Sequence, residues 1–215
     1  MTVLDTSHDA QVTGLAAFHR QRKADSRERL LAAAVEQFGR SGYSPVSVED
    51  IASAAGVSRM TFYRHFRGKA DIATALFDRN VVEAGPVLLR VREIDWRSRG
   101  AVHGWLDRLF AADHANRMLL RVFVEAAAVE PDFTRQAHAQ IDAWIIAMGE
   151  TIPAFALDSA NARDRRRWLE AWLLVYEILD QSNHAALDSG VASDRLVLDI
   201  MADRFLDFVA KGVPV

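Results

Sequence analysis

The sequence predicts an all-α protein in which a small N-terminal three-helix domain precedes a larger helical domain. Apolar residues recur at the i, i+3 and i+4 spacing of amphipathic helices, and residues 25–70 show no strand-like alternation. The 215 residues include only 11 Gly and 5 Pro, which favours long helices over a turn-rich β protein. The absence of Cys excludes disulfides and a thiolate metal site.

Composition and hydropathy limit the classes of protein to which the chain can belong. Hydrophobic residues make up 50% and charged residues 26% of the chain, as in an ordinary globular protein. No apolar run approaches the roughly 18 residues of a membrane span, and Asp5 and Asp9 argue against a secretory signal. We therefore expect a cytoplasmic protein that does not enter a membrane.

Charge is distributed unevenly along the chain. Residues 1–70 hold ten Lys and Arg against seven Asp and Glu, a net charge of +3. Residues 71–215 hold sixteen against twenty-two, a net charge of −6. This asymmetry predicts that a polyanionic partner would bind the N-terminal part.

The first helix is expected to begin near Asp25, after a disordered arm at residues 1–22. Asp25 and Glu28 resemble a capping box, and Gly42 provides a stop signal. The apolar face of this helix consists of Leu30, Leu31, Ala34, Val35 and Phe38.

Residues 47–66 have the pattern of a helix-turn-helix. Ser47 and Ser58 can cap two short helices, and Gly56 allows the positive φ of a tight turn between them. Val57 can supply the apolar plug beneath both helices.

The second of these short helices has two different sides. Phe62 and Phe66, four residues apart, form its inward side. The opposite side carries Arg59, Thr61, Tyr63 and Arg64. Because no acid lies between Arg59 and Lys69, this helix suits the major groove of DNA. The generic alternative is a helical hairpin whose charges are simply solvated.

Residues 27–76 resemble, without a gap, the DNA-binding domain of the TetR family of transcriptional regulators. The resemblance is carried by Arg29-Leu-Leu-Ala-Ala-Ala-Val35, Phe38, Gly42-Tyr43, Ser47-Val-Glu-Asp-Ile-Ala52, Ala55-Gly-Val-Ser58, Thr61-Phe-Tyr-Arg-His-Phe-Arg-Gly-Lys69 and Leu76. It implies a helix-turn-helix domain followed by a helical effector-binding and dimerisation domain. The corresponding domains are 1–22 as an arm, 23–70 for DNA binding and 71–215 for effector and dimer.

The resemblance also implies roles for individual residues. Arg59, Met60 and Thr61 match positions that face bases, and Tyr63 and His65 match positions at the DNA backbone. Ser47 and Lys69 match phosphate contacts, and Arg64 on the same outer side completes the predicted surface. The basic run at residues 20–23 leaves two interpretations open: a solvated tail or an arm that reaches DNA.

In the larger domain, helices are expected near residues 70–90, 101–112, 115–129, 132–155, 161–187 and 194–211. The resemblance implies an apolar effector cavity among them. Candidate lining residues are Trp105, Phe110, Met118, Phe123, Trp144, Met148, Trp172 and Tyr176. Core packing or an interface is the alternative for each of these side chains. Glu125 and Glu177 lie in apolar surroundings, as effector partners or as members of structural ion pairs.

The last two helices are apolar on more than one side, which predicts an association surface. Family members pair through these two helices. The candidate homodimer residues are Trp168, Leu179, Leu196, Ile200, Phe205 and Phe208. The alternative is that both faces pack within one subunit.

The sequence contains little evidence for catalysis, metal binding or nucleotide binding. The seven His residues show no short metal-ligand spacing, and no nucleotide-binding or nucleophile motif is present, so we expect no enzyme, metal or cofactor. The leading hypothesis is a repressor that a hydrophobic small molecule releases from a palindromic operator. The alternatives are a helical small-molecule-binding protein or enzyme with an incidental helix-turn-helix, and an architectural DNA binder without an effector.

Overall fold

The structure, a computed structural model, describes residues 6–188 and 194–212, with side chains from residue 21 onwards. Within these residues the secondary structure is helical, and the predicted all-α class is confirmed. The helices are α1 Thr6–Ser41, α2 Val48–Ala54, α3 Arg59–His65, α4 Lys69–Leu89, α5 Arg99–Ala115, α6 Arg117–Val129, α7 Pro131–Gly149, α8 Arg165–Ala186 and α9 Leu196–Lys211. Two 3₁₀ helices span Arg90–Glu93 and Pro153–Phe155.

The helix α1 is much longer than its apolar face predicts. It begins at Thr6, so the expected start of order near Asp25 and the capping box there are wrong. Residues 6–22, expected to be a disordered arm, are helical, and residues 1–5 lie outside the described part. The polar composition suggested disorder, but this stretch contains no Pro and a single Gly, Gly14, and these are the two residue types that weaken a helix most.

The chain divides into two compact units, the first ending at Ala75 and the second beginning at Leu76. This is five residues beyond the boundary expected at residue 70, and α4 runs through it without interruption. The first unit has its own core of large side chains with at most 3% exposure. Its members are Leu30, Leu31, Phe38, Tyr43, Ile51, Phe62 and Phe66.

The second unit is organised around α5, which packs against both α8 and α9. Trp105 at its centre is 1% exposed, and its indole N–H donates to the Leu88 carbonyl at 3.0 Å. Phe205 packs tilted against Trp105, with ring centroids 5.5 Å apart. A buried indole whose N–H is paired adds aromatic area to the core without an unsatisfied donor.

Three candidates for the dimer interface belong to this core instead. Phe205, Phe208 and Trp168 are buried within the subunit, so their assignment to an association surface is wrong. Phe155 accounts for the error, because its ring packs on both Phe205 and Phe208, with centroids 5.9 Å and 4.7 Å away.

The helix expected at residues 132–155 ends early, at Gly149. A Cβ at Gly149 would lie 2.5 Å from the carbonyl oxygen of Phe155, so only Gly lets the following segment fold back this closely. Pro153 then begins the short 3₁₀ helix.

A matched pair of substitutions tests this close approach. Gly149→Ala should destabilise the protein by about 1–3 kcal/mol, because the Phe155 backbone must move. Gly100→Ala, in α5 with no atom within 4 Å of the new Cβ, should stabilise it by up to about 1 kcal/mol. Urea unfolding measures both changes in the free energy of unfolding. A Gly149→Ala variant as stable as the parent would contradict the packing described.

Candidate DNA-binding surface and ligand cavity

The short helix α3 is oriented by its cap and by one buried ring. The Ser58 hydroxyl accepts a hydrogen bond from the Thr61 backbone N–H at 3.1 Å, which confirms the predicted cap. Phe62 is fully buried, whereas Met60 on the outer side is 79% exposed. Gly56 has φ +62° in the preceding turn, as the motif requires.

Arg59 lies along the outer side of α3. Its guanidinium is 2.7 Å from the Glu49 carboxylate and 5.4 Å from the centre of the Tyr63 ring. Both members of the ion pair are more than half exposed, and such surface pairs contribute little. A guanine edge or a phosphate could therefore replace Glu49 as the partner of Arg59 at small cost.

Ser47 forms the capping box of α2. Its hydroxyl accepts from the Asp50 backbone N–H at 3.1 Å, and the Asp50 carboxylate accepts from the Ser47 backbone N–H at 2.9 Å. The hydrogen bond from the Ser47 hydroxyl lowers the pKa of Asp50. The predicted cap is confirmed, and a phosphate contact by Ser47 stays a prediction.

Lys69 connects the start of α4 to the segment between α1 and α2. Its ammonium donates to the carbonyls of Tyr43 and Ser44, both at 2.9 Å, and lies 4.4 Å from the centre of the Tyr43 ring. A phosphate bound by Lys69 would therefore meet an ammonium that is already held by two backbone carbonyls.

His65 differs from the other predicted contacts, because its ring packs against α1. Its Nε2 lies 2.8 Å from the hydroxyl of the buried Ser26. That hydroxyl donates its proton to the Lys23 carbonyl at 3.0 Å, so His65 Nε2 is the donor to Ser26. Burial lowers the pKa of His65, as do the nearby charges of Arg64, Lys23 and Arg27. His65 therefore positions α3 against α1, and its contact with the DNA backbone stays a prediction.

A polar cleft of about 600 Å³ lies between α1 and α3. Its charged lining residues are Arg22, Lys23, Arg29 and Arg64, with no acid among the described lining side chains. Thr61 also lines the cleft, so the predicted face of α3 continues onto α1. Arg22 and Lys23 are recognisable in the sequence as part of a basic run, whereas Arg29 lies within the apolar pattern of α1 and carries no such signal.

The second unit contains a cavity of about 510 Å³ with a mainly apolar wall. Phe77, Phe123 and Phe133 form an aromatic cluster there, with ring centroids 5.4–6.0 Å apart. Of the eight predicted lining residues, Phe123, Trp144 and Tyr176 are in the wall. Phe77 and Phe133 were missed, although both occur in apolar helical stretches.

The other five candidates do not line the cavity. Trp105 and Met148 are buried in the core of the second unit, and Phe110 packs against that core. Met118 is half-exposed. Trp172 stacks on Tyr176 with ring centroids 5.2 Å apart, behind the lining side chain.

The carboxylates of the wall come from α5 and α8, whereas Asn80 and Thr134 line the cavity from α4 and α7. Asp113 in α5 accepts a hydrogen bond from the Ser182 hydroxyl at 2.5 Å, and burial raises the pKa of Asp113. Asp180 and Asn183 line the cavity from α8, and His138 lines it from α7.

The two acids singled out in the sequence lie elsewhere. Glu125 pairs with Arg121 one turn earlier at 2.8 Å, and Glu177 pairs with Arg204 of α9. Both are structural ion pairs rather than cavity groups.

Among the described residues, no group of His, Asp or Glu is arranged to hold a metal ion. Over the same part of the chain, no helix is long and apolar enough to span a membrane.

Comparison with known proteins agrees with this architecture. Residues 30–76 match the family model described as bacterial regulatory proteins, tetR family. The chain is 27% identical over 164 residues to the HTH-type transcriptional activator FasR of Mycolicibacterium smegmatis. This alignment covers 74% of this chain and 72% of FasR.

Solved structures share the fold at low identity. A TetR-family transcriptional regulator from Mesorhizobium loti aligns with a TM-score of 0.59 at 20% identity, over 89% of this chain and 99% of that one. FadR from Bacillus subtilis, in complex with stearoyl-CoA, aligns with a TM-score of 0.54 at 17% identity, over 87% and 99%.

The environment of His65 predicts a pH dependence of stability. As pH falls through about 6.5, the unfolded chain takes up a proton at this position that the folded chain resists, so folding stability should decrease. Urea unfolding at about pH 7.5 and 5.5 should show a smaller decrease for His65→Gln than for the parent. The exposed His114→Gln variant should behave like the parent, and equal pH dependence in all three proteins would contradict the role of His65.

Proposed function

We propose that this chain, whose residues 30–76 match the model of the bacterial tetR regulatory family, is a homodimeric repressor released from a palindromic operator by a hydrophobic small molecule. The observation that carries the proposal is the outer side of α3, which is exposed and continuous with the basic cleft on α1. Such a regulator acts in the cytoplasm, where the DNA is.

The two parts of this surface suit different parts of the DNA. Arg59, Met60 and Thr61 lie at the start of α3, the end of a recognition helix that contacts base edges. Arg59 can bind guanine with two hydrogen bonds, and the Thr61 methyl can contact a thymine methyl. Tyr63 at the outer side and the cleft cations, including Arg64, suit backbone phosphates, which position the protein without reading sequence.

The proposed dimer surface lies on α8 and α9. Leu169, Leu173, Leu196 and Ile200 are exposed, Leu173 at 61%. The exposed ion pair of Glu177 and Arg204 joins the two helices, which supports treating their exposed apolar residues as one surface. Two copies of such a surface can pair about a two-fold axis, which matches the symmetry of a palindrome. The remaining candidate, Leu179, lines the cavity instead.

The cavity supports control by a ligand. Its volume is in the range of small-molecule sites, and most of its wall is apolar. An effector that releases DNA must bind more tightly to the DNA-free form, and DNA must weaken effector binding by the same factor. FadR is solved with an acyl-CoA, but at 17% identity the likeness covers the fold, so the ligand class must come from this chain's own cavity wall.

The sign of regulation has a second candidate, because FasR is named an activator. An operator that overlaps a promoter would support repression, whereas a site upstream of the promoter would support activation.

Selection of bound DNA from a random pool should recover a palindrome. Arg59→Ala should relax the preference at one base pair of each half-site and weaken operator binding by about 1–3 kcal/mol. Arg64→Ala should weaken binding to all sequences and reduce the salt slope by about 1 per subunit. Arg40→Ala, whose side chain pairs with Glu36 outside the cleft, is the control and should bind like the parent. If Arg59→Ala and Arg64→Ala also bind like the parent, the proposed surface is wrong.

The dimer surface is tested by a paired substitution on exposed positions. Leu173→Glu with Ile200→Glu should give folded monomers, because the interface would bury unpaired carboxylates. Ile146→Glu, an exposed apolar position on α7, should remain dimeric. Analytical ultracentrifugation measures the mass of each variant. Dissociation by Ile146→Glu alone would place the interface on α7.

A further inference from the structure

The charges in the cavity wall are of one sign. Two carboxylates, Asp113 and Asp180, line the cavity, and no described lining residue is Lys or Arg. The segments of the second unit outside the described residues, 189–193 and 213–215, contain no Lys or Arg either. A negatively charged ligand group buried here would lack a permanent cationic partner, and an unpaired buried charge is costly.

Asp113 is a poor place for an anion and a good place for a cation. It lies in the last turn of α5, where the helix dipole adds negative potential. It is mostly buried, and its carboxylate accepts from the neutral hydroxyl of Ser182 rather than from a charged donor. A ligand cation would supply the opposite charge that this carboxylate lacks.

The neighbouring wall from α8 has matching chemistry. Tyr176, Asp180 and Asn183 follow the i, i+4, i+7 spacing, so they lie on one side of α8, and all three line the cavity. Aromatic faces attract ammonium groups, and Trp172 fixes the Tyr176 ring by stacking on it at an interplanar angle of 9°. Carboxylate and aromatic ring thus occur together on this wall.

The apolar groups come mainly from other helices. Phe77 of α4, Phe123 of α6 and Phe133 of α7 form the aromatic cluster described above. Their surfaces offer area for a hydrocarbon or ring body and no hydrogen-bond donors.

We propose that this cavity binds a cationic amphiphile, a primary or quaternary ammonium compound whose charged group is held by Asp113 and Asp180 and whose apolar body packs on the phenylalanine cluster. The proposal rests on the effector role proposed above and names its ligand class. Anionic amphiphiles, such as fatty carboxylates, are disfavoured by the same wall.

Three probes with the same ten-carbon chain separate the effect of charge from that of the apolar body. Decylamine, 1-decanol and decanoate would be titrated below micelle concentrations into the full-length protein, with binding followed by tryptophan fluorescence and calorimetry. Decylamine should bind about tenfold or more tightly than decanol, as expected for a charge-assisted hydrogen bond, and decanoate most weakly. Decanoate binding at least as tightly as decylamine, or no binding by any of the three, would overturn the proposal.

Isosteric variants assign the effect to the two carboxylates. Asp180→Asn and Asp113→Asn should each weaken decylamine binding about tenfold and leave decanol binding unchanged. Asp107→Asn, an exposed position on α5 outside the cavity, is the matched control and should bind all three probes like the parent. Unchanged decylamine binding in both cavity variants, with folding verified by circular dichroism, would refute the assignment.

Operator binding separates this inference from the proposed function. If decylamine binds through the two carboxylates but leaves DNA affinity unchanged, the cation site is correct and the effector role is wrong. If decanoate instead binds tightly and releases DNA, the effector role is supported and the cationic class is wrong.

Discussion

A seven-residue helix cannot hold its own shape in water, and the proposed DNA contacts depend on that constraint. The helix α3 acquires its orientation from outside itself: the Ser58 cap, the burial of Phe62 and the hydrogen bond from His65 to Ser26. The inward side of α3 therefore packs into the core of the first unit. The residues on the other side are thereby presented on a helix of fixed orientation, which a base-reading surface requires.

The two units carry opposite charges at their candidate binding sites. The first unit gathers four cations around one cleft, which suits a polyanion, whereas the cavity of the second contains two carboxylates and no described Lys or Arg. Like charges repel over about 8–10 Å at physiological salt, so an acidic cavity is a poor competitor for phosphate. Ligands of opposite charge can thus be discriminated by the same chain before shape is considered.

The N-terminal motif could be predicted because its constraints are local in sequence. Ser47, Gly56 and Ser58 each act within four residues of their own position, and Phe62 is marked as an inward residue by its i, i+4 spacing to Phe66. The structure has all four residues in the expected roles. The length of α1 could not be predicted in this way. A polar helix carries no apolar stripe to reveal it, and absence of a breaking residue is a weak signal.

The C-terminal half shows where helical periodicity stops being informative. A repeated apolar position indicates that one side of a helix is buried, but it does not identify the covering surface. The pattern predicts that a partner subunit covers Phe205 and Phe208, whereas the groups that cover them include Phe155, some fifty residues earlier in sequence. The cavity follows the same logic. Its wall combines Phe77, Phe123 and Tyr176 from separate helices, so it is defined only by their packing, whereas each residue alone is indistinguishable from an ordinary core position.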